Sequence, residues 1–289
     1  MSRKWYKLVL RQMKPMHIGI FNYGVLSETR IFIPGWTMWG AFVNQYGQYK
    51  GGKEEHFEEG QQIFETITCF YPKLESENKI LFPQFQKRDF YLGDYSENEF
   101  RAKFTDVYTS TSIQPSSLTA KDESLHEIEI VLPKSKMIRE RENLSWVGLL
   151  GIDEEKAEKV KGFFEEGLEV IIGGDTRYGL GNMKLEKLCE ATAEDLEEWS
   201  VTESGEWKFS SEPLKNYFAI TDGLFKQFDE SERIFKIGEI EHVAIQLDFS
   251  EATPKIEKSK VCIIPGSVLR EKFFQDCHYK LKQGIFQAN

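Results

Sequence analysis

Four glycines fall within nine residues in Gly173-Gly174-Asp175-Thr176-Arg177-Tyr178-Gly179-Leu180-Gly181. At the average glycine usage of about 7%, fewer than one is expected in such a window. Glycine permits positive φ and lets a second backbone approach closely. Successive exposed N–H groups in such a loop can cradle phosphate oxygens. Arg177 supplies a planar fork for bidentate phosphate contact, and Tyr178 a face on which a base can stack. No Gly-Lys-Ser/Thr follows, so the segment is not a nucleoside-triphosphate loop. It is expected to follow a helix instead of opening one, which also separates it from a dinucleotide-binding fingerprint. On spacing alone, a tight structural turn and backbone-phosphate recognition both stay open.

A second polar segment, Tyr108-Thr109-Ser110-Thr111-Ser112-Ile113-Gln114-Pro115, offers hydroxyls that can bond phosphate or 2′-OH groups, or simply face water. Among the five histidines, His17, His56, His126, His242 and His278, only His17 stands where a general base for RNA cleavage is conceivable. A lone histidine is more often a structural hydrogen-bonding residue. No Ser/His/Asp order and no Gly-x-Ser-x-Gly elbow is present. Cys69, Cys189, Cys262 and Cys277 lie far apart and form no C-x-x-C pair, so the expectation is reduced thiols, no disulfide framework, no metal and no cofactor. Glu58-Glu59 and Asp153-Glu154-Glu155 read as solvated helix faces.

The elements that must hold these residues follow from the apolar pattern. A strand is expected over 5–13, ended by Pro15, and a helix over 36–46, where Trp39, Phe42, Val43 and Tyr46 fall at helical spacing. A second helix is expected over 54–69. Residues 71–124, rich in Pro, Ser, Asn and Lys, read as an insertion of short strands and long loops. Alternation predicts a strand over 124–132, and a further apolar run covers 146–152. A helix over 153–171 is predicted from the stripe Ala157, Val160, Phe164, Leu168 and Ile171, followed by the glycine loop and a strand over 182–188. The acidic stretch 191–199 is the best boundary candidate, and beyond it the pattern turns strand-rich.

The chain has 289 residues, 40% of them hydrophobic and 13% aromatic, which is ample for a packed core and excludes global disorder. Its 37 Lys and Arg against 47 Asp and Glu leave a net charge of −10. A protein that coats nucleic acid by bulk positive charge is thereby excluded, whereas a local basic site on an acidic body is not. No apolar run is long enough to span a membrane, and the first residues lack the apolar core of a secretory signal, so a cytoplasmic location is expected.

The order of these pieces resembles the RAMP superfamily, the RNA-binding subunits of type III CRISPR-Cas effector complexes. Four segments carry the likeness. His17-Ile18-Gly19 and then Phe32-Ile33-Pro34-Gly35-Trp36-Thr37-Met38-Trp39-Gly40-Ala41 resemble the family's H-x-G turn and the I-P-G-[ST]-x-x-[KR]-G-A that opens its first helix. Trp39 stands at the usual basic position. Thr111-Ser112-Ile113-Gln114 through Ala120-Lys121-Asp122-Glu123-Ser124-Leu125-His126-Glu127-Ile128-Glu129 is similar to the family's middle stretch, with Tyr108-Thr109-Ser110 where a basic residue is usual. The glycine loop and strand ending Gly179-Leu180-Gly181-Asn182-Met183-Lys184-Leu185 form the most specific segment. Ile264-Pro265-Gly266-Ser267-Val268-Leu269 is similar to the P-x-G-S-V of the subunits that hold the guide's 5′ handle.

The resemblance implies an α+β fold: a ferredoxin-like, RRM-type domain over 1–190 with its insertion at about 71–124, followed over 191–289 by a strand-rich domain or extension, for which a second ferredoxin-like half and an extension wrapped on the first domain both stay open. It implies guide RNA (crRNA), the large signalling subunit and backbone RAMP subunits as partners, and no membrane. RNA contact is expected from His17, Gly35, Trp36, Thr37, Thr111, Gly173, Gly174, Arg177, Tyr178, Gly179, Gly181 and Lys184. Catalysis is not expected of a handle-capping subunit. Two catalytic alternatives stay open: a repeat-processing endoribonuclease with His17 as base, assisted by Tyr23, Lys14 or Arg177, and a backbone subunit that cleaves target RNA through Asp106 or Asp122. A protein scaffold without RNA contact is the remaining reading.

Overall fold

The computed structural model describes residues 3–76, 79–137, 141–221, 235–248, 255–271 and 278–288, so Cys277 lies outside the described residues. The chain opens with strand β1 (Arg3–Gln12), a hairpin of β2 (Gly19–Tyr23) and β3 (Leu26–Thr29), and helices α1 (Gly35–Tyr49) and α2 (Glu54–Ile63). Short strands β4 (Thr66–Ile67) and β5 (Tyr71–Leu74) follow, then β6 (Pro83–Gln86), β7 (Asp89–Leu92) and β8 (Tyr95–Ser96). Helix α3 (Glu97–Phe104) leads into β9 (Thr105–Ser110), the small ladder of β10 (Ile113–Gln114) and β11 (Thr119–Ala120), and β12 (His126–Val131). The long strand β13 (Leu144–Asp153) runs directly into one helical turn, α4 (Glu154–Ala157). Strands β14 (Glu169–Ile171) and β15 (Asn182–Glu190) precede α5 (Ala193–Glu198). The remainder is β16 (Tyr217–Ala219), β17 (Phe235–Ile237), β18 (Ile240–Asp248), β19 (Lys255–Ile263), β20 (Val268–Leu269), β21 (Tyr279–Lys282) and β22 (Ile285–Ala288).

The main sheet has the order β14-β15-β1-β13-β4, with β5 also on β13, and every pair in it is antiparallel. Its two central strands are buried on both faces, which is why β13 reads Leu-Ser-Trp-Val-Gly-Leu-Leu-Gly-Ile-Asp with almost no polar alternation. Leu8, Leu10, Trp146, Leu150 and Ile152 face one side, in the core shared with α1 and α2. Trp5, Val147 and Leu149 face the other, where Leu196, Trp199, Phe218 and Phe286 cover them. A second sheet, β2-β3-β12-β9, stands beside the first, with β3 and β12 parallel. A third, β18-β19-β16-β22-β21, is built wholly from residues beyond 216. No helix among the described residues is long and apolar enough to cross a membrane. Burial pushes the Cys69 and Cys262 thiols up to about 12, so both are protonated and inert at neutral pH.

Three expectations are corrected. The helix over 153–171 does not form: α4 and one 3₁₀ turn at Glu158–Val160 are followed by Gly162 and Gly167 at positive φ and then by β14. Phe163 and Phe164 are adjacent, yet both insert among Phe42, Tyr46 and Phe64, which neighbouring residues of a helix could not do. Helix α2 ends at Ile63 instead of reaching 69, because Thr66–Ile67 pairs with β13. The insertion contains a helix, α3, whose start is fixed by a reciprocal capping pair between Ser96 and Glu99.

One contact ties the two ends of the described chain together. A Cβ on Gly35, at the start of α1, would lie 2.4 Å from the backbone nitrogen of Gly284, in the turn between β21 and β22. The N–H of Gly284 in turn donates to the carbonyl of Ile67 at 2.7 Å. Only backbone fits between the first helix and the last hairpin. The acidic segment 191–199 is likewise held in place: Thr192 and Asp195 cap α5 reciprocally, and Asp195 accepts from Lys7 of β1 at 2.6 Å.

Candidate nucleic-acid interface

The glycine loop joins two paired strands, β14 and β15, and not a helix to a strand, which corrects the expectation above. At its crown a single 3₁₀ turn, Thr176–Tyr178, lies between two left-handed residues, Asp175 at φ 53° and Gly179 at φ 83°. Two of the glycines are there because backbone passes close by. A Cβ on Gly173 would meet the carbonyl oxygen of His17 at 2.2 Å, and one on Gly181 that of Ile172 at 1.9 Å. Gly179 meets nothing within 4 Å, so its requirement is conformational.

His17 is the residue on which the loop is seated. Its carbonyl accepts the N–H of Gly174 at 2.8 Å, and its Nδ1 lies 2.7 Å from the carbonyl of Glu129 on β12. The residue is 7% exposed. Gly181 N–H donates to Pro15 at 2.8 Å, Tyr178 N–H to Asp175 at 2.9 Å and Gly179 N–H to Thr176 at 3.0 Å. Four of the amides that could have cradled a phosphate are therefore already engaged.

Beside the loop the structure places the hydroxyl-rich segment. Tyr108, Ser110, Thr111, Ser112, His126, Ile128, Asp175, Tyr178 and Leu180 line one groove of about 300 Å³. The β9–β12 register brings Ser110 opposite His126, and the Ser110 Oγ is 2.6 Å from His126 Nε2. Thr111 Oγ1 and Ser124 Oγ are 2.8 Å apart, and Ser124 also accepts from the Ser112 amide at 3.1 Å. Tyr178 is 78% exposed and Tyr108 50%. His126 belongs to this groove although the sequence marked it only as a strand residue. The signal was its place in β12, which becomes informative once β9 is known to pair there.

The other expected contact residues lie elsewhere. Arg177 is exposed and forms no ion pair among the described residues. Lys184 is exposed on β15, opposite Glu169 and Arg11. Gly35 is buried against Gly284, Trp36 packs on Tyr217 at a ring separation of 4.9 Å with Arg30 over its face, and Thr37 N–H donates to Pro34. None of these three lines the groove. Ser267, from the Pro-Gly-Ser-Val segment, is buried and holds Leu214 N–H through its carbonyl at 2.8 Å.

A second cavity, of about 240 Å³, opens between the β2–β3 hairpin and β18, lined in part by Phe21, Tyr23, Phe90 and Tyr217. Glu28, Glu97, Glu239 and Glu241 outnumber Arg30 and Arg101 on its walls, so its field opposes phosphate. Arg30 forms a two-pronged pair with Glu241 and donates to the Tyr217 hydroxyl at 2.9 Å. Arg101 reaches Glu129 at 2.6 Å and both Glu28 and Glu97 at 2.7 Å, and donates to the Thr29 carbonyl at 3.0 Å. Burial raises the Glu28 carboxyl above its ordinary value; Arg101 opposes the rise, and Glu129 and Glu97 add to it. Among the described residues no group of three or more His, Cys, Asp or Glu could hold a metal.

No curated protein matches the chain. Among solved structures, it is similar to a chain in the cryo-EM structure of the type III-B Cmr-beta bound to cognate target RNA and AMPPnP, with a TM-score of 0.64 and 14% identity over 93% of this chain and 87% of that one. A chain of the type III-B Cmr-beta bound to cognate target RNA gives a TM-score of 0.63 and 12% identity over 98% and 99%. At these identities the likeness is one of fold. The sequence model of the RAMP superfamily matches residues 14–184, from just after β1 through α1, α2, the insertion and the glycine loop, and the chain accordingly belongs to the RAMP superfamily.

Proposed function

We propose that this chain is an RNA-binding subunit of a type III CRISPR-Cas effector ribonucleoprotein in the cytoplasm. In this reading it holds the 5′ handle of the guide RNA and bridges the large subunit to the backbone RAMP subunits. The observation that carries it is the groove where two exposed tyrosines, Tyr108 and Tyr178, meet the glycine loop and a row of hydroxyls. Aromatic faces left in water are suited to stacking unpaired bases, and the hydroxyls to 2′-OH contact. The RNA and effector assemblies in which the similar folds occur support the same partners.

The sheet order β15-β1-β13-β4, with α1 and α2 between the first and last of these in sequence, supports a ferredoxin-like reading of residues 1–190. The second helix of that plan is reduced to α4 and its 3₁₀ turn. Residues 191–289 fit an extension wrapped on the sheet, since α5 and the last sheet bury their apolar residues against Trp5, Val147 and Leu149. The burial of His17 and its bond to Glu129 favour a positioning role over that of a general base.

The test uses residues whose replacement leaves the fold alone. Arg177→Ala with Tyr178→Ala, both exposed, should lower guide-RNA retention by the assembled complex about tenfold, the scale of one lost base–aromatic stack of ~1.4 kcal/mol. Sequencing and quantifying the RNA that co-purifies with the tagged variant measures this. Unchanged retention would remove the groove from the guide's path.

A further inference from the structure

The same groove carries more detail than RNA binding in general. Resting on that reading, we infer that it receives one unpaired guanine of the RNA, stacked on Tyr178 and Tyr108 and held at its Watson–Crick edge by the carboxylate of Asp175. Phosphate recognition is one of the two readings that the loop's spacing leaves open, and the loop's own chemistry argues against it. Its amides at Gly174, Tyr178, Gly179 and Gly181 already donate within the fold. Its crown presents an acid, Asp175, on the groove wall, while Arg177 is not among the lining residues. A carboxylate repels a phosphate but accepts from any neutral N–H.

Among the four bases, the match to an acceptor-only group is selective. Guanine alone presents two adjacent donors, N1–H and N2–H₂, at its Watson–Crick edge, and a carboxylate can accept both. Adenine and cytosine present one donor beside an acceptor, and uracil one donor between two acceptors. The remaining polar groups of the groove are less free to choose. Ser110 is bonded to His126, and Thr111 to Ser124. The Asp175 carboxylate forms no side-chain hydrogen bond among the described residues, and its left-handed backbone, followed by the 3₁₀ turn, holds it in place. The groove, at about 300 Å³, lies at the small end of ligand sites, as a single base requires.

The experiment measures binding of the full chain to fluorescein-labelled eight-nucleotide uridine-rich RNAs that carry one central guanosine, inosine or adenosine. Inosine lacks only the N2 amino group. Guanosine should bind about tenfold tighter than inosine or adenosine, which is ~1.4 kcal/mol of discrimination. Asp175→Asn, which tolerates the left-handed backbone, should erase that preference while binding to the uridine-rich background persists. Tyr178→Ala should weaken all three RNAs together. Equal affinity of the wild type for the three RNAs overturns the guanine assignment and leaves RNA binding intact. Failure of the wild type, alone and in the assembled complex, to hold any RNA overturns the functional reading and this inference with it. Binding of GMP that depends on Asp175, without preference among the RNAs, would make the groove a free-nucleotide site and also overturn the inference.

Discussion

Replacing Arg101 by methionine should destabilise the protein by about 3 kcal/mol at neutral pH, and the loss should shrink as the pH falls. The guanidinium on α3 is the only cation within ion-pair reach of Glu28, Glu97 and Glu129 among the described residues, and it also binds the carbonyl of Thr29. Methionine keeps the apolar stem but leaves two part-buried carboxylates, Glu28 on β3 and Glu129 on β12, without a cation, Glu129 keeping only its bonds from the Thr29 N–H at 3.1 Å and the Thr105 hydroxyl at 2.9 Å. Glu97 is the most exposed of the three, at 38%, and water screens its share, which keeps the figure at the lower end of the range for broken buried pairs.

The sign of the pH effect follows from Glu28. Its folded value is already raised by burial, and removing Arg101 takes away the main opposing influence. A carboxyl raised in the folded state above its unfolded value of about 4.3 weakens the fold where the unfolded chain is ionised, and the penalty disappears below that value. The deficit of the variant should therefore be largest at pH 7 and narrow progressively toward about pH 4–5. Urea unfolding at both ends of this window measures it. A deficit independent of pH would mean that packing, not charge, is what Arg101 contributes. Adding Glu28→Gln to the variant should recover part of the loss at pH 7.

Gly181→Ala should be as damaging, and Gly179→Ala should not. Both residues have positive φ, near 80°, and sit two positions apart in the same loop. A methyl group on Gly179 meets nothing, so only the left-handed backbone is penalised, by about 1 kcal/mol. On Gly181 the methyl would lie 1.9 Å from the carbonyl oxygen of Ile172, and that carbonyl belongs to the end of the β14–β15 pair and cannot swing aside as a side chain would. Strain plus the opened pair should amount to about 3 kcal/mol or more. At ~2–4 °C per kcal/mol for a chain of this size, the melting temperature of Gly181→Ala should fall by about 6–12 °C, and that of Gly179→Ala by a third as much. Equal shifts in the two variants would show that the close approach of Ile172 is not maintained in solution.

Much of the central frame is readable in the sequence because it depends on local pattern. The near-continuous apolar run of β13 and the helical spacing of Trp39, Phe42, Val43 and Tyr46 in α1 need no knowledge of partners. The region 153–171 misleads for a physical reason: Val160, Phe164 and Leu168 fall at helical spacing and do pack on the core, but Phe163, outside that stripe, is buried there too, and Gly162 and Gly167 at positive φ interrupt the backbone. Those glycines, and the Ser96-x-x-Glu99 cap of α3, were signals present in the chain and outweighed by periodicity and composition. The groove could not be read from spacing at all. It depends on the pairing of β9 with β12, which puts His126 beside Ser110, and on a seat for the glycine loop supplied by His17 from the segment between β1 and β2. Each is a contact between residues distant in sequence.

The backbone contact between Gly35 and Gly284 sets a timetable for synthesis. Helix α1 can coil as soon as it leaves the ribosome, but its N-terminal turn gains its neighbour only after the β21–β22 turn has emerged and folded back. Until then the sheet face bearing Trp5, Val147 and Leu149 has also to wait for residues such as Phe218 and Phe286. From the emergence of β13 and of Phe163 and Phe164, which complete the α1–α2 core, until that of the last hairpin, the nascent chain carries a covered sheet face on one side and an open apolar one on the other, which makes this interval the one in which a chaperone or an assembly partner would most readily find it.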